Sequence, residues 1–144
     1  MWEKMLETES IEVRNQKMVI AFWEAFTEGN GKATGKYLAD DVTWEAMGTV
    51  GGDPMSTVRN KEEIVALAVK MKKTMAQGLT LSPVEWTCQD KRVAVEMEGT
   101  GVVAANGKGY HNRYHFVIEI EEHKITKIKE YMDTLHAKRV FVDK

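Results

Sequence analysis

The sequence has little of what a disulfide-linked or membrane-spanning protein needs. Its 144 residues include one cysteine, Cys88, which excludes an internal disulfide and a cysteine-cluster metal site. Cys88 lies in a strand-like stretch, where we interpret it as a packed thiol. No apolar run is long enough to span a bilayer, and the acidic start MWEKMLETES is not typical of a secretory leader. We therefore expect a cytoplasmic protein.

An excess of positive charge is also missing. The chain has 20 Lys and Arg against 22 Asp and Glu, a pI of about 6.1 and no basic stripe. Because binding to a phosphate backbone depends on such a stripe, no nucleic acid partner is expected. Repeats and linkers are absent too. The length suits one domain over residues 1–144, with an N-terminal extension at 1–10 and a C-terminal tail at 135–144.

Three helices are predicted from apolar periodicity. The first has Ser10 as its N-cap and ends at Gly29. Its apolar residues share one face by their spacing: Val19, Phe22, Trp23 and Phe26. A short second helix is predicted at Gly31–Ala39, and a third begins at a capping box formed by Asn60 and Glu63. The third also has an apolar face, formed by Ile64, Leu67, Ala68, Met71 and Met75.

Strands are predicted between and after these helices. The first alternates polar residues with three apolar ones, Val42, Trp44 and Ala46. A glycine-rich loop follows over Gly48–Asn60. Leu79–Gln89 is a predicted strand in which Pro83 indicates an edge position or a bulge. Helices first and an antiparallel meander last indicate an α+β domain, in which a bent sheet wraps the helices.

The most informative stretch is a predicted three-stranded meander that ends near Asp133. Asn106-Gly107, between alternating apolar residues, predicts a two-residue hairpin turn. The register that this turn implies pairs residues on an apolar face: Val103 with Tyr110, Gly101 with Asn112, Gly99 with Tyr114, Met97 with Phe116 and Val95 with Ile118. The opposite face then pairs polar and charged residues: Thr100 with Arg113, Glu98 with His115 and Arg92 with Glu121.

The second hairpin turn is predicted at Glu122-His123. Regular alternation from there would turn lysines inward, and a one-residue bulge near Thr126-Lys127 removes this conflict. The bulged register places the last strand against its neighbour: Ile128 beside Phe116, Glu130 beside Tyr114 and Met132 beside Asn112. Glu130 is then a carboxylate on an otherwise apolar face, where it is either satisfied or functional. Without the bulge, Tyr131 and Asp133 would face inward in its place.

Two segments resemble the SnoaL-like branch of the nuclear transport factor two-like superfamily: FWEAFTEGN leading to YLADDVTWEAMG, and GYHNRYHFVIEIEEHKITKIKEYMDT. The resemblance extends from about Val13 to Thr134. It implies a cone-shaped, cystatin-like α+β barrel, with three N-terminal helices packed in a strongly bent, mostly antiparallel sheet. The superfamily includes polyketide cyclases, limonene epoxide hydrolase and ketosteroid isomerase. The resemblance therefore predicts the fold and leaves the reaction open.

The catalytic positions of two of these relatives are not matched. The resemblance places Met97 and Gly99 where limonene epoxide hydrolase has an Arg and an Asp, so only its last-strand acid has an equivalent, Glu130. Ketosteroid isomerase has its general-base Asp at the position of Ala46 and a Tyr near that of Phe22. Neither reaction is expected by those routes.

What remains resembles the cyclase-like members, with Glu130 as a general acid/base in an apolar pocket. In this interpretation Tyr114 donates a hydrogen bond to an enolate oxygen and Asn112 orients a carbonyl. The pocket is predicted to have apolar walls: Trp23, Phe26, Trp44, Met97, Phe116 and Met132. Asp133 and His115 are second choices among the polar residues. The chemistry needs no cofactor, and the histidines lack the spacing of a metal site.

Two functions from different classes remain open. The first is a cofactor-free cyclase- or isomerase-like catalyst that acts on a small hydrophobic carbonyl compound. The second is a non-catalytic small-ligand-binding or dimerisation domain, in which Glu130 is a satisfied buried acid. A homodimer suits either, because the charged face of the meander could be self-complementary about a two-fold axis. A cavity of roughly 300 Å³ or more beside Glu130 would favour a function in which a small molecule is bound or converted.

Overall fold

The computed structural model describes residues 9–47 and 56–143. The helices in these ranges are Ile11–Thr27 (α1), Gly31–Lys36 (α2), Lys61–Thr74 (α3) and Thr134–Phe141 (α4). The strands are Leu38–Met47 (β1), Thr57–Arg59 (β2), Thr80–Gln89 (β3), Arg92–Val102 (β4), Gly109–Glu121 (β5) and Lys124–Met132 (β6). None of these helices has the length and hydropathy to cross a membrane.

The strands form one mixed sheet with the order β2-β1-β6-β5-β4-β3. The pairing of β1 with β6 is parallel, and the other pairings in the sheet are antiparallel. The curled sheet wraps the helices: α1 packs against β3 and β4, α3 against β1, and α4 against β5. The predicted α+β cone is therefore confirmed, and its core lies between the inner face of the sheet and the helices.

The two longer helices begin where the sequence predicts. The Ser10 hydroxyl accepts a hydrogen bond from the backbone N–H of Val13 at 3.2 Å, and Gly29 ends α1 with a φ of 72°. The predicted apolar face of α1 is buried: Val19, Phe22, Trp23 and Phe26. α3 starts at the predicted capping box, in which the side chains of Asn60 and Glu63 each accept from the other residue's backbone N–H.

The boundaries of the second helix and the first strand differ from the prediction. α2 ends at Lys36 rather than Ala39, because Leu38 already belongs to β1. Leu38 is 1% exposed, and its burial in the sheet prevails over the weak local preference for helix.

Two further elements lie in segments predicted to be irregular. Residues 57–59 at the end of the predicted loop form β2, whereas residues 48–55 of that loop lie outside the described residues. The predicted tail contains most of α4, and residues 1–8 of the predicted N-terminal extension also lie outside the described part. Short elements such as these contain too few periods for an apolar pattern to emerge.

The hairpin of β4 and β5 has the predicted faces but a register displaced by two residues. The observed inward pairs are Gly101–Tyr110, Gly99–Asn112, Met97–Tyr114, Val95–Phe116 and Val93–Ile118. The outward pairs include Thr100–His111, Glu98–Arg113 and Arg92–Glu119. The cause is the loop, since the backbone N–H of Val103 donates to the carbonyl of Lys108 and leaves four residues between them. A shift by an even number of residues keeps every side chain on its predicted face.

The predicted bulge in β6 is confirmed. It follows a two-residue turn at Glu122-His123, in which both residues have positive φ. Thr126 is the extra residue between two regular pairs, Ile120–Ile125 and Glu119–Lys127. Beyond it the register is again displaced by two residues from the prediction, with pairs Ile118–Ile128, Phe116–Glu130 and Tyr114–Met132. Glu130 therefore faces inward as predicted, and Tyr131 is exposed.

Pro83 has the predicted effect on β3. The strand lies at the edge of the sheet, and Val84 is an extra residue between the pairs Pro83–Met97 and Glu85–Glu96. The missing N–H of proline is tolerated there, because an edge strand needs hydrogen bonds on one side alone.

The corner between β6 and α4 is held by Asn112, a buried residue of β5. Its Nδ2 donates to the carbonyl oxygen of Asp133, and its Oδ1 accepts from the backbone N–H of Asp133, both at 3.0 Å. The Asp133 carboxylate in turn caps α4 by accepting from the backbone N–H of His136 at 3.0 Å. Asn112 thus fixes the point at which the last helix starts.

We expect Asn112→Ala to lower the free energy of unfolding by about 1–3 kcal/mol, because the part-buried backbone groups of Asp133 lose both partners. Urea denaturation measures the change, and amide hydrogen exchange in α4 should become faster. His115→Ala, an exposed change on the same strand, is the control and should stay within about 0.5 kcal/mol of wild type. Equal losses in the two variants would contradict the role given to Asn112.

Candidate active site

Glu130 is the buried carboxylate of the inner sheet face, with a relative exposure of 8%. In the sheet it lies between Ala46 of β1 and Phe116 of β5. The small side chain of Ala46 leaves space beside the carboxyl group, while the ring of Phe116 forms an apolar wall on the other side. The carboxyl group is therefore held inside the cone with room for a ligand on one side.

The indole of Trp44 is the hydrogen-bond partner of this carboxyl group. Its Nε1–H donates to Oε1 of Glu130 at 3.1 Å, and this is the one hydrogen bond that the group receives from the described residues. The Trp44 ring is held by an edge contact with Trp23 and a tilted contact with Phe26, with centroids 5.6 and 5.3 Å apart. The orientation of the donor is thus set by aromatic packing.

Burial raises the pKa of Glu130 from 4.5 to about 7. Two smaller effects favour the carboxylate and oppose the shift: the hydrogen bond from Trp44 and the positive charge of Arg59. A carboxyl group with such a pKa exists in both forms near neutral pH. It can therefore accept a proton and return it in one catalytic cycle.

A cavity of about 290 Å³ lies beside Glu130. Its apolar lining includes the aromatic rings of Trp23, Phe26, Trp44 and Phe116, beside aliphatic and methionine side chains. Besides Glu130, the charged residues that line the cavity in the described part of the chain are Arg59 of β2 and Lys70 of α3. Each of these elements also contributes a threonine, Thr57 and Thr74. Within residues 9–47 and 56–143, no three His, Cys, Asp or Glu side chains are grouped as metal ligands.

Tyr110 and Tyr114 also line the cavity, and their hydroxyl groups are hydrogen-bonded to each other. The two residues are four apart on β5 and so lie on the same face of the strand. The Tyr114 ring stacks on Phe116 and the Tyr110 ring on His136, with centroids 5.3 and 5.4 Å apart.

Both tyrosine hydroxyl groups are protonated across the physiological range. Burial raises the pKa of Tyr110 to about 12 and that of Tyr114 well above its usual value. The pair has two O–H groups, and the bond between them uses one. The other remains available to donate to a ligand oxygen.

Most of the predicted site residues do meet at this cavity: Glu130, Tyr114, Trp23, Phe26, Trp44, Phe116 and Met132. Asn112 and Met97 are buried but do not line it, contrary to the prediction. The amide of Asn112 is occupied by the backbone of Asp133. Met97 belongs to β4, from which no described residue lines the cavity.

The two second-choice residues lie outside the cavity. Asp133 is exposed and serves as the N-cap of α4. His115 is exposed on the outer face, where it pairs with Glu96 of β4 and Tyr131 of β6. The placement of Asp133 follows from the bulge, which turns Glu130 inward, whereas His115 lies on the outer face by the alternation of β5.

Several cavity residues were missed by the sequence reasoning. Tyr110 continues the alternation of Asn112 and Tyr114, so the same pattern could have identified it. Lys70 and Thr74 follow Leu67 at helical spacing, so the predicted face of the third helix could also have identified them. No sequence pattern could have identified Arg59, because it lies in a three-residue strand at the end of a predicted loop.

Gly99 explains why the Tyr114 ring can occupy its place. A Cβ atom built on Gly99 would lie 2.7 Å from Cε2 of Tyr114 and 3.2 Å from Cδ2 of Leu81. The ring therefore lies over the backbone of β4 at the position where the resemblance to limonene epoxide hydrolase would require an Asp. Such a carboxylate and this tyrosine ring exclude each other.

Comparison with known proteins gives one family and a set of similar structures. The model of the SnoaL-like domain family matches residues 19–128. An NTF2-like protein from Burkholderia xenovorans LB400 is 25% identical, with a TM-score of 0.69 over 88% of this chain and 94% of its own. No curated protein matches the sequence.

Two more distant structures share the fold. TerC, co-crystallised with polyporic acid, is 16% identical, with a TM-score of 0.72 over 88% of this chain and 96% of its own. IdmH from Streptomyces antibioticus, a proposed polyketide cyclase, is 15% identical, with a TM-score of 0.68 over 84% of this chain and 93% of its own. At these identities the likeness is one of fold.

We expect Glu130→Gln to become more stable relative to wild type as the pH rises. The folded-state pKa of about 7 lies above the ordinary 4.5, so folded wild type binds the proton more tightly than the unfolded chain and loses stability between those values. The difference in the free energy of unfolding should change by about 3 kcal/mol between about pH 4 and pH 9, at about 1.4 kcal/mol per pKa unit. Urea denaturation at several pH values measures it.

The control for this prediction is Glu96→Gln, an exposed change on the outer face of the sheet. Its difference from wild type should vary little over the same pH range. A flat pH dependence for Glu130→Gln would contradict the desolvation of Glu130.

We expect Gly99→Ala to displace the Tyr114 ring and to lower the free energy of unfolding by about 1–3 kcal/mol, as overpacking does. Near-UV circular dichroism reports the ring environment and urea denaturation the stability. Gly109→Ala is the matched control, because a Cβ atom there meets nothing within 4 Å. An unchanged near-UV spectrum for Gly99→Ala would show that the ring does not depend on this glycine.

Proposed function

We propose that this chain, which belongs to the SnoaL-like family, catalyses proton transfer on a small hydrophobic carbonyl compound. The observation that carries the proposal is the position of Glu130, a buried carboxyl group that lines an aromatic cavity and has space beside it. An acid in such surroundings is a competent base near neutral pH, because its pKa of about 7 matches the working range. No metal or organic cofactor is required for this step.

The proposed reaction is enolisation followed by return of the proton. The Glu130 carboxylate removes a proton from the carbon next to the carbonyl, and the C–H electron pair moves to the carbonyl oxygen. The free O–H of the Tyr110–Tyr114 pair donates to that oxygen as its negative charge develops. Protonated Glu130 then returns the proton to the same or another carbon. Isomerisation and aldol-type cyclisation both begin with this enolate.

The size and lining of the cavity support a small, largely apolar ligand. Its volume of about 290 Å³ lies just below the range of about 300–1,000 Å³ that ligand pockets occupy. The aromatic rings lie around a carboxyl group that is 8% exposed, and they offer flat surfaces for a ring or an unsaturated chain.

A second candidate function is ligand binding without catalysis. The observation that favours it is that Glu130 already accepts a hydrogen bond from Trp44 and the two tyrosines bond to each other. A domain that only binds an apolar ligand, or mainly dimerises, needs no more than this. The two functions differ in whether a bound ketone exchanges its protons.

We expect the protein to accelerate the exchange of the α-protons of propiophenone in deuterated water, followed by proton NMR. The rate should rise with pH and level off above about pH 7, because the ionised form of Glu130 is the base. Glu130→Gln should lower the rate by about 10²-fold or more, the usual contribution of a general base. Tyr114→Phe should lower it as well, because the Tyr110 hydroxyl that remains loses the partner that orients it toward the enolate oxygen.

Tyr131→Phe is the control, since this tyrosine is 45% exposed on the outer face of the sheet. It should exchange propiophenone at the wild-type rate. An unchanged exchange rate in Glu130→Gln would contradict the role of Glu130 as the catalytic base. Binding of propiophenone by wild type without any exchange would instead establish the second candidate function.

A further inference from the structure

We propose that the ligand of this cavity is a carboxylate, and that Arg59 pairs with its anionic end. This inference rests on the proposed function and narrows it, because the substrate becomes a hydrophobic keto acid rather than a neutral ketone. Three observations carry it: the face on which Arg59 lies, the charge balance of the cavity lining, and the position of Arg59 relative to Glu130 and the tyrosine pair.

Arg59 lies on the inner face of the sheet. It is paired with Trp44 across the antiparallel β1–β2 ladder, and paired residues project to the same side. Its Nη1 donates to the hydroxyl of Thr57 at 2.9 Å, which holds the guanidinium group at the cavity wall. The side chain is half-buried and lines the cavity. The other N–H groups of the guanidinium fork can then bind two oxygens of one carboxylate.

The charge of the described lining also favours an anion. The charged residues in that lining are Arg59, Lys70 and Glu130. With Glu130 ionised, two cations against one anion leave a net charge of +1, and protonation of Glu130 leaves +2. No described carboxylate forms an ion pair with Arg59. A half-buried cation in an aromatic setting gains more from a ligand carboxylate than an exposed one would.

The polar groups of the cavity follow the order of the strands. Arg59 is on β2, Glu130 is two strands away on β6, and Tyr114 is on the next strand, β5. The backbones of β2 and β6 are therefore roughly 10 Å apart, at about 4.8 Å per strand. On the strand between them, Trp44 is opposite Arg59, and Ala46 lies between Thr57 and Glu130, where its small side chain leaves the inner face open. The charge of Arg59 acts on Glu130 across this gap, since it favours the ionised carboxyl group.

This order matches the chemistry of a γ-keto acid. In 4-oxo-4-phenylbutanoate the carbon that loses its proton lies between the ketone and the carboxylate. With the carboxylate at Arg59 and the ketone oxygen at the tyrosine pair, that carbon faces Glu130. The phenyl ring then lies beyond the ketone, where Leu79 and Leu81 form an apolar end of the cavity.

The test compares the binding of 4-oxo-4-phenylbutanoate with that of its primary amide, which has nearly the same shape and no charge. Isothermal titration calorimetry on the full chain should give about tenfold or tighter binding of the acid, a difference of about 1.4 kcal/mol. Arg59→Gln should remove this preference by weakening acid binding alone. Arg59→Lys should keep most of it, because the positive charge remains.

Arg113→Gln is the matched control. It removes the same charge from the outer face of the sheet, where Arg113 faces Glu98, and it should leave the preference for the acid intact. Circular dichroism establishes that each variant is folded, and amide binding shows that its cavity is formed. Equal binding of acid and amide by wild type, or equal losses in Arg59→Gln and Arg113→Gln, would overturn the inference.

The outcome for Arg59 can be separated from the outcome for catalysis. If Glu130→Gln still exchanges propiophenone while Arg59→Gln loses its preference for the acid, the proposed reaction fails and the carboxylate site stands. If Glu130→Gln abolishes exchange while wild type binds acid and amide equally, the reaction stands and the carboxylate site fails. Each proposal thus has its own readout.

Discussion

The structure depends on one extra residue, Thr126, in the last strand of the sheet. Side chains alternate across a strand, so a single inserted residue decides which face all the following residues take. Here the bulge sends Ile128 into the core and Glu130 into the cavity, and it leaves Tyr131 on the outer face. The Thr126 hydroxyl donates to the carbonyl of Glu119 at 3.2 Å and so ties the bulge to the neighbouring strand. Without this local irregularity Glu130 would lie on the outer face of the sheet.

The chemistry of that carboxylate follows from how few polar partners it has. A carboxylate that accepts two or three hydrogen bonds inside a protein has a low pKa and stays ionised. Among the described residues Glu130 accepts one hydrogen bond, from Trp44, and the distant charge of Arg59 adds a smaller stabilisation. Desolvation by the surrounding aromatic rings prevails over both effects and brings the pKa to about 7. The same rings that make the site costly for a charge therefore make it useful for moving a proton.

Alternation predicted which face each residue of the meander would take, and this was enough to place Glu130, Tyr114 and two of the apolar wall residues, Phe116 and Met132. Alternation could not predict the register of β4 against β5. A four-residue loop and a two-residue turn around Asn106-Gly107 keep the same side chains on each face and differ only in which residues of the two strands are paired. That difference separates Asn112, which holds a backbone corner, from Tyr110, which lines the cavity. Arg59 could not be predicted for another reason. Its strand is three residues long, and the inward direction of its side chain is set by pairing with β1.

The cavity also explains why residues that carry catalytic groups in relatives are small or apolar here. Gly99 has no side chain because the Tyr114 ring lies within contact distance of its backbone. Ala46 is small where its neighbours on the adjacent strands are Thr57 and Glu130, so the inner face stays open between β2 and β6. The polar groups that the resemblance would place at these two positions are absent, and the tyrosine pair on β5 and the guanidinium on β2 supply polarity on either side of Glu130 instead. The reaction of a member of this family is therefore better inferred from the order of its polar groups across the sheet than from the residues at a relative's catalytic positions.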